Sequence, residues 1–176
     1  MGPTYFAPGR FPVLARLAGD FATFREEGMR ALDAAKWTVI RDNRVDPDVW
    51  AVLPLLPEPE DRPVVPDWEA NALVCPKTDR ILGAASEVKA YSFSYLRAGG
   101  YIRPHKHENP FVTAIVTLRT GAPCYMSAAG ERRDFREDEV IVFDYTRVHD
   151  ARNESGVDWL ALLLLLEPPI DRSAPG

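Results

Sequence analysis

Cysteine and histidine are scarce in this sequence, and both shortages carry information. Two cysteines, Cys75 and Cys124, are too few for the disulfide framework that holds small secreted domains together. A reducing, cytoplasmic setting is therefore expected. Basic residues are not in surplus either, since 21 Lys+Arg stand against 26 Asp+Glu for a formal net charge of -5. Such a chain has no excess cation to neutralise a phosphate backbone or an anionic lipid surface, so neither nucleic acid nor a membrane is an expected partner. Long apolar runs are lacking. The most apolar stretch, Trp159 to Leu166, has eight residues, where a membrane-spanning helix needs about 20. The first ten residues likewise lack the basic stretch and apolar run that mark a secretory signal.

What is present points to a folded protein. The 176 residues match one domain at roughly 150 residues per domain. A hydrophobic content of 46% is enough to build a core, which excludes disorder throughout. Leu14, Leu17, Phe21 and Phe24 recur at spacings of three and four, with Met29 and Leu32 continuing the stripe, so an amphipathic helix of roughly 20 residues is expected, relaxed at Gly28. Between Val45 and Pro66 lie six prolines, each removing a backbone donor, and the expectation there is an irregular loop or lid. A short helix is expected at Asp79–Ala85, after the turn signal Cys75-Pro-Lys-Thr78.

The periodicity changes at Val88. Strands are expected at Lys89–Leu96, Phe111–Leu118, Cys124–Ser127, Glu139–Phe143 and Trp159–Leu166, separated by Gly99-Gly100, Gly121 and Gly130. The fold expectation is thus α+β over residues 1–176 as a single domain. N-terminal helices (1–87, with the Pro-rich part) pack on a C-terminal β-core of jelly-roll type (88–167), and 168–176 form a tail.

The three histidines, His105, His107 and His149, are the main functional signal. On an extended segment, residues at i and i+2 face the same way, so His105 and His107 converge on one cavity. His149 lies 42 residues beyond His107, just past an expected strand, where a jelly roll returns the chain. Three imidazoles with open positions make a reactive Fe, Zn, Mn or Ni site. Gly99 before His105-Lys106-His107, and His149 before Asn153, resemble the two signature segments of cupin metal sites. The glutamate of the cupin pattern is missing, because Glu108 faces away from His107. Asp144 and Asn153 flank His149 and are candidates to orient its ring.

Beyond the histidines, the chain resembles the aspartyl/asparaginyl β-hydroxylase family. The resemblance runs through Phe11-Pro12, Cys75-Pro-Lys-Thr78, Tyr91-Ser-Phe-Ser94, Ala98-Gly-Gly-Tyr-Ile-Arg-Pro-His105 and Asn109. It continues in Val140-Ile-Val-Phe-Asp144, His149, Asn153 and the strand ending Leu166-Glu167. It implies a cupin-like double-stranded β-helix. Most members use Fe(II), O2 and 2-oxoglutarate to hydroxylate amino acid side chains, either in proteins or as small molecules. His105 and His149 fall at the family's iron-binding histidines, and Ser94 at a serine that helps hold the co-substrate.

The departures from the family pattern concern the same site. His107 stands where the family often has Asp or no ligand. Trp159 stands where an arginine, about ten residues after the second histidine, anchors the far carboxylate of 2-oxoglutarate. A buried dianion needs a cationic, preferably bidentate partner. Arg119, Arg147 and Arg152 are the available substitutes, each more simply read as a surface arginine. The expected function is a non-heme Fe(II) oxygenase acting on O2 and a small amino-acid-like or other anionic metabolite through three histidines and without 2-oxoglutarate. A 2-oxoglutarate-dependent β-hydroxylase and a non-redox cupin-like metal isomerase or lyase are the alternatives. Expected substrate contacts are Ser94, Tyr91, Tyr95, Arg103, Trp159 and Arg119. The oligomeric state is not legible.

Overall fold

The computed structural model describes residues 2–35, 37–109 and 111–169. Most of the expected tail, from residue 170 on, lies outside them. The strands are β1 (Tyr5–Phe6), β2 (Thr38–Val39), β3 (Trp50–Leu56), β4 (Val88–Leu96), β5 (Tyr101–His105), β6 (Val112–Arg119), β7 (Cys124–Ala128), β8 (Glu131–Asp134), β9 (Val140–Asp144), β10 (His149–Asn153) and β11 (Trp159–Leu166). The helices are α1 (Pro12–Leu17), α2 (Phe21–Ala34), α3 (Trp68–Val74) and α4 (Pro76–Gly83). A large antiparallel sheet has the order β1-β9-β6-β11-β4-β3-β2, and a smaller one the order β5-β10-β7-β8. The fold is α+β: two facing sheets, with helices against the outer side of the larger one. Among the described residues no helix is long and apolar enough to cross a membrane.

Alternation along β11 explains the layers. Leu160, Leu162, Leu164 and Leu166 face the helices and join Phe24, Phe93 and Leu53 in one core. Trp159 and Ala161 face the small sheet and join Ile102, Met126 and Phe135 in a second. Because the helices cover one face of β11 and the small sheet the other, while β4 and β6 pair with its edges, its apolar run is buried on both faces, as its composition predicts. Each such leucine contributes about 1.5–3 kcal/mol by burial.

Three sequence expectations need correction. The stripe from Leu14 to Leu32 forms two helices. A tight 3-10 turn at Ala18–Asp20 separates them, where Gly19 and a non-helical Asp20 (φ -104, ψ 0) interrupt the pattern. Gly28 does not relax α2. It sits inside the helix because a Cβ there would lie 2.9 Å from Phe93 Cε1 and 3.2 Å from Leu160 Cδ2.

Second, the Pro-rich segment is not all loop, and residues 1–87 are not only helical. Trp50-Ala-Val-Leu-Pro-Leu-Leu56 forms β3, with Leu53 and Leu55 fully buried toward the helices. Its Pro54 is accommodated because the neighbouring β2 pairs only with Ala51 and Val52, leaving Pro54 at an edge beside a register shift. Third, the helix expected at Asp79–Ala85 begins at Pro76, because the buried Glu27 of α2 accepts the Thr78 N–H at 2.8 Å and the Lys77 N–H at 3.2 Å. A carboxylate on those first-turn donors nucleates α4 earlier than its apolar pattern suggests.

The close approach at Gly28 is testable. Gly28→Val should lower stability by about 1–3 kcal/mol through overpacking against Phe93, read as a lower urea midpoint with an unchanged slope. A midpoint equal to that of the parent protein would mean that α2 is free to move off the sheet.

Candidate metal centre

β5 and β10 are neighbours in the small sheet, and their register sets His105 directly opposite His149. β5 ends at His105, and the chain runs on irregularly through Lys106 to His107, whose backbone N–H donates to the Tyr145 carbonyl at 3.2 Å. That bond holds the third ring beside the other two. Ring centroids are 4.3 Å apart for His105 and His149, 5.2 Å for His105 and His107, and 5.7 Å for His107 and His149. One nitrogen from each ring lies within 4.8 Å of the others.

The protonation of the rings suits a cation. His105 Nδ1 lies 2.9 Å from the Arg103 carbonyl and His149 Nδ1 lies 2.7 Å from the Arg147 carbonyl. A carbonyl only accepts, so both Nδ1 atoms carry the proton and both Nε2 lone pairs are left for a metal. His107 Nε2 is buried with no hydrogen-bond partner among the described residues. Burial lowers all three histidine pKa values, His107 to about 3 and His149 to about 4, with neighbouring rings adding to the effect for those two and Arg44 for His105. At neutral pH all three are unprotonated, which is the ligating form. The residues present fit a metal ion held by three imidazoles.

Two cavities adjoin the rings, sharing Trp50, Thr113, Tyr145 and Leu163 in their walls. The inner one, about 60 Å³, lies between the sheets beside His105 and His149 and reaches Trp159. The outer one, about 230 Å³, lies beside His107 under residues 40–65.

The expected site residues distribute unevenly around these spaces. Ser94 lines the inner cavity, but its hydroxyl accepts the Trp50 indole N–H at 3.0 Å. Trp159 lines it too, 2% exposed, with Phe135 at 4.8 Å between ring centroids. Tyr91 reaches the outer cavity, while its hydroxyl donates to Asp79 of α4 at 2.6 Å. Tyr95 faces the opposite layer, bonded to Asp158 and packed on Trp37. Strand alternation explains both: Tyr91, Phe93 and Tyr95 share a face, and Phe93 shows that face to be the helical side.

The other expected residues lie away from these spaces. Arg103 bonds Asp46 on the outside, Arg119 lies against Met29 of α2, and neither lines either cavity. Nor do Arg147, bonded to Asp144 and the Gly2 carbonyl, or Arg152, stacked on Tyr101. Asp144 and Asn153 do not bond His149, whose Nδ1 is taken by a backbone carbonyl. Asp144 instead accepts from Thr146 and Arg147 to shape the turn before His149. Asn153, fully buried, donates to the carbonyls of Leu96 and Val157 and accepts from Ser155, closing the loop between β10 and β11. Glu108 pairs with Lys106 at the surface and is no ligand.

Three residues were missed. Tyr145 stacks on His107 with centroids 3.8 Å apart and planes 10° from parallel, fixing that ring. Trp50 divides the two cavities. Arg44, over the Trp50 ring at 5.3 Å and bonded to Asp42, lines the outer cavity. Trp50 is hidden in the sequence because the prolines around it read as loop, Arg44 because it stands just before that segment in no motif, and Tyr145 because it falls after the expected end of β9.

The family model for aspartyl/asparaginyl beta-hydroxylase matches residues 18–169, and with them both segments that carry the histidines. The chain belongs to this family. No curated protein matches the hydroxylase-family sequence. Among solved structures, a cupin 2 conserved barrel domain protein from Rhodopseudomonas palustris is similar at a TM-score of 0.50 and 11% identity, over 78% of this chain and 74% of that one. The cupin domain of an XRE-family transcriptional regulator from Enterobacter cloacae matches at 0.47 and 19%, over 69% and 99%. The first is a likeness of fold.

The reassigned role of Asn153 separates two kinds of damage. Asn153→Ala removes a buried donor from the Leu96 and Val157 carbonyls, the second of which keeps the Ser155 hydroxyl, and should cost about 1–3 kcal/mol of stability, measured by urea denaturation. Its metal content per folded molecule, by elemental analysis, should equal that of the parent protein. Metal loss without destabilisation would return Asn153 to the metal's surroundings.

Proposed function

We propose that this hydroxylase-family protein is a non-heme Fe(II)-dependent oxygenase that acts on a small, amino-acid-like or other anionic metabolite and does not use 2-oxoglutarate. The observation that carries the second half is the lining of the inner cavity. Its walls include neither arginine nor lysine, and the one carboxylate among them, Asp150, is of the same sign as the co-substrate. Burying an unpaired carboxylate costs several kcal/mol even after relaxation. At about 1.4 kcal/mol per decade, that removes several decades of affinity.

His105, His107 and His149 would hold the iron, which when bound supplies a Lewis-acidic, redox-active centre for O2 chemistry. The protein's own residues do the rest. The carbonyls of Arg103 and Arg147 keep two rings in one tautomer, and Tyr145 holds the third by stacking. Ile102, Ile115, Met126 and Phe143 exclude water from the inner cavity. A set of three neutral ligands leaves a divalent ion its full charge, which favours an anionic substrate group close by. Arg44 offers a further cation in the outer cavity.

Two results are expected from protein loaded with Fe(II) without oxygen. Replacing any one histidine with alanine should strip most of the bound iron, since one of three donors is lost. Adding 2-oxoglutarate to the parent protein should produce no visible metal-to-ligand charge-transfer band and no succinate. Appearance of that band would promote the 2-oxoglutarate-dependent reading, with Arg44 as the anchor to examine.

A further inference from the structure

Among the described residues, four buried side-chain polar atoms have no hydrogen-bond partner: Thr78 Oγ1, His107 Nε2, Thr113 Oγ1 and Trp159 Nε1. Three of the four belong to residues that line the cavities beside the histidines. His107 Nε2 is accounted for by a metal. Thr113 stands where the two cavities meet. Trp159 is different, because it lines only the inner cavity and lies away from the outer one.

The indole N–H of Trp159 is a strong donor in an apolar place. Phe135 covers one side of the ring, and Ile102, Ile115 and Met126 make up much of the surrounding wall. A lone water needs two to four polar partners to be held; Phe135, Ile102, Ile115 and Met126 offer none, and Ser94, Thr113, Tyr145 and Asp150 are the polar side chains of the wall that a ligand oxygen would share with the indole. Leaving such a donor unpaired costs about 1–3 kcal/mol, so its placement implies an acceptor brought by the ligand. We propose that Trp159 Nε1 forms a subsite for a neutral hydrogen-bond acceptor, an amide, carbonyl or hydroxyl oxygen, at the end of the ligand remote from the three histidines.

Charge decides between a neutral acceptor and a carboxylate. One indole N–H supplies a single donor and no positive charge, whereas a buried carboxylate requires a cation or several donors. The only formal charge of a carboxylate residue in the wall is that of Asp150, which repels an anion. Size limits the ligand as well. About 60 Å³ holds roughly four or five water-sized groups, so the part inside is a short chain. Together these features describe a short metabolite with an anionic group toward the histidines and an uncharged oxygen at the other end. The anionic end rests on the function proposed above, and the neutral end rests on Trp159 and its cavity.

Glutarate and its monoamide, glutaramate, separate these ends, since they share a shape and one carboxylate and differ only in the charge of the second terminus. Nitrogen-15-labelled protein loaded with Zn(II), a diamagnetic and redox-inert ion that three-histidine sites accept, reports each tryptophan through its indole N–H resonance. Trp159→Phe assigns the peak of Trp159 by its disappearance. Glutaramate should shift that peak saturably and bind about tenfold or more tightly than glutarate, the preference expected from one hydrogen bond made and one unpaired charge avoided. Trp159→Phe should abolish the preference, and Trp159→Arg should reverse it. Equal or tighter binding of glutarate by the parent protein overturns the subsite, as does an indole peak that glutaramate leaves unmoved. Elemental analysis of the same samples tests the metal separately. Protein without zinc whose Trp159 peak still shifts keeps the subsite and counts against the histidine site. Protein with zinc and an unmoved peak does the reverse.

Discussion

Three unprotonated imidazoles packed side by side between two sheets are the constraint on which the rest of this structure turns. Their mutual closeness and their burial both oppose protonation, which is why His107 and His149 are pushed to about 3 and about 4. No hydrogen bond joins the three rings among the described residues, and the inward Nε2 atoms of His105 and His149 are acceptors. The protein supports it from behind, with carbonyls on two rings and a stacked tyrosine on the third. Three such rings, with a nitrogen from each within 4.8 Å of the others, are a ligand set that could hold a cation.

The sheets exist in the form that such an array requires. β5 and β10 pair so that His105 and His149 are direct neighbours, and the Asn153 network then fixes where β10 hands over to β11. β11 carries one face of leucines into the helical layer and turns Trp159 into the space between the sheets. The same strand therefore anchors the helices and shapes the far wall of the inner cavity. Where the family pattern has a cation on this strand, this chain places a donor without charge, and the small apolar volume around it is consistent with a ligand that is neutral at that end.

Much of this was legible in the residues. Alternation and the leucine run placed β4, β6 and β11, and the His-x-His pair with a distant third histidine pointed to a convergence that the fold realises within 4.8 Å. The substrate side was read less well, for physical reasons. Aromatics at strand spacing show that one face is buried without showing which layer buries it, so Tyr95 turns to the helical layer while Tyr91 still reaches the outer cavity. Prolines signal lost donors, and at the edge beyond β2 a lost donor costs nothing, so β3 and its Trp50 stayed hidden. Polar residues near a ligand in sequence, such as Asp144 and Asn153, were turned by local loops toward backbone groups instead of toward the ring.

The central claim is that three imidazoles, and not two with a carboxylate, form the metal's protein ligand set. X-ray absorption at the iron edge of the anaerobic Fe(II) protein reads this directly, because imidazole rings give multiple-scattering features that carboxylates lack. Amplitudes fitting three imidazoles, falling to two in His107→Ala protein at whatever occupancy it retains, are the predicted result. Two imidazoles in the parent protein, unchanged by removal of His107, would contradict it.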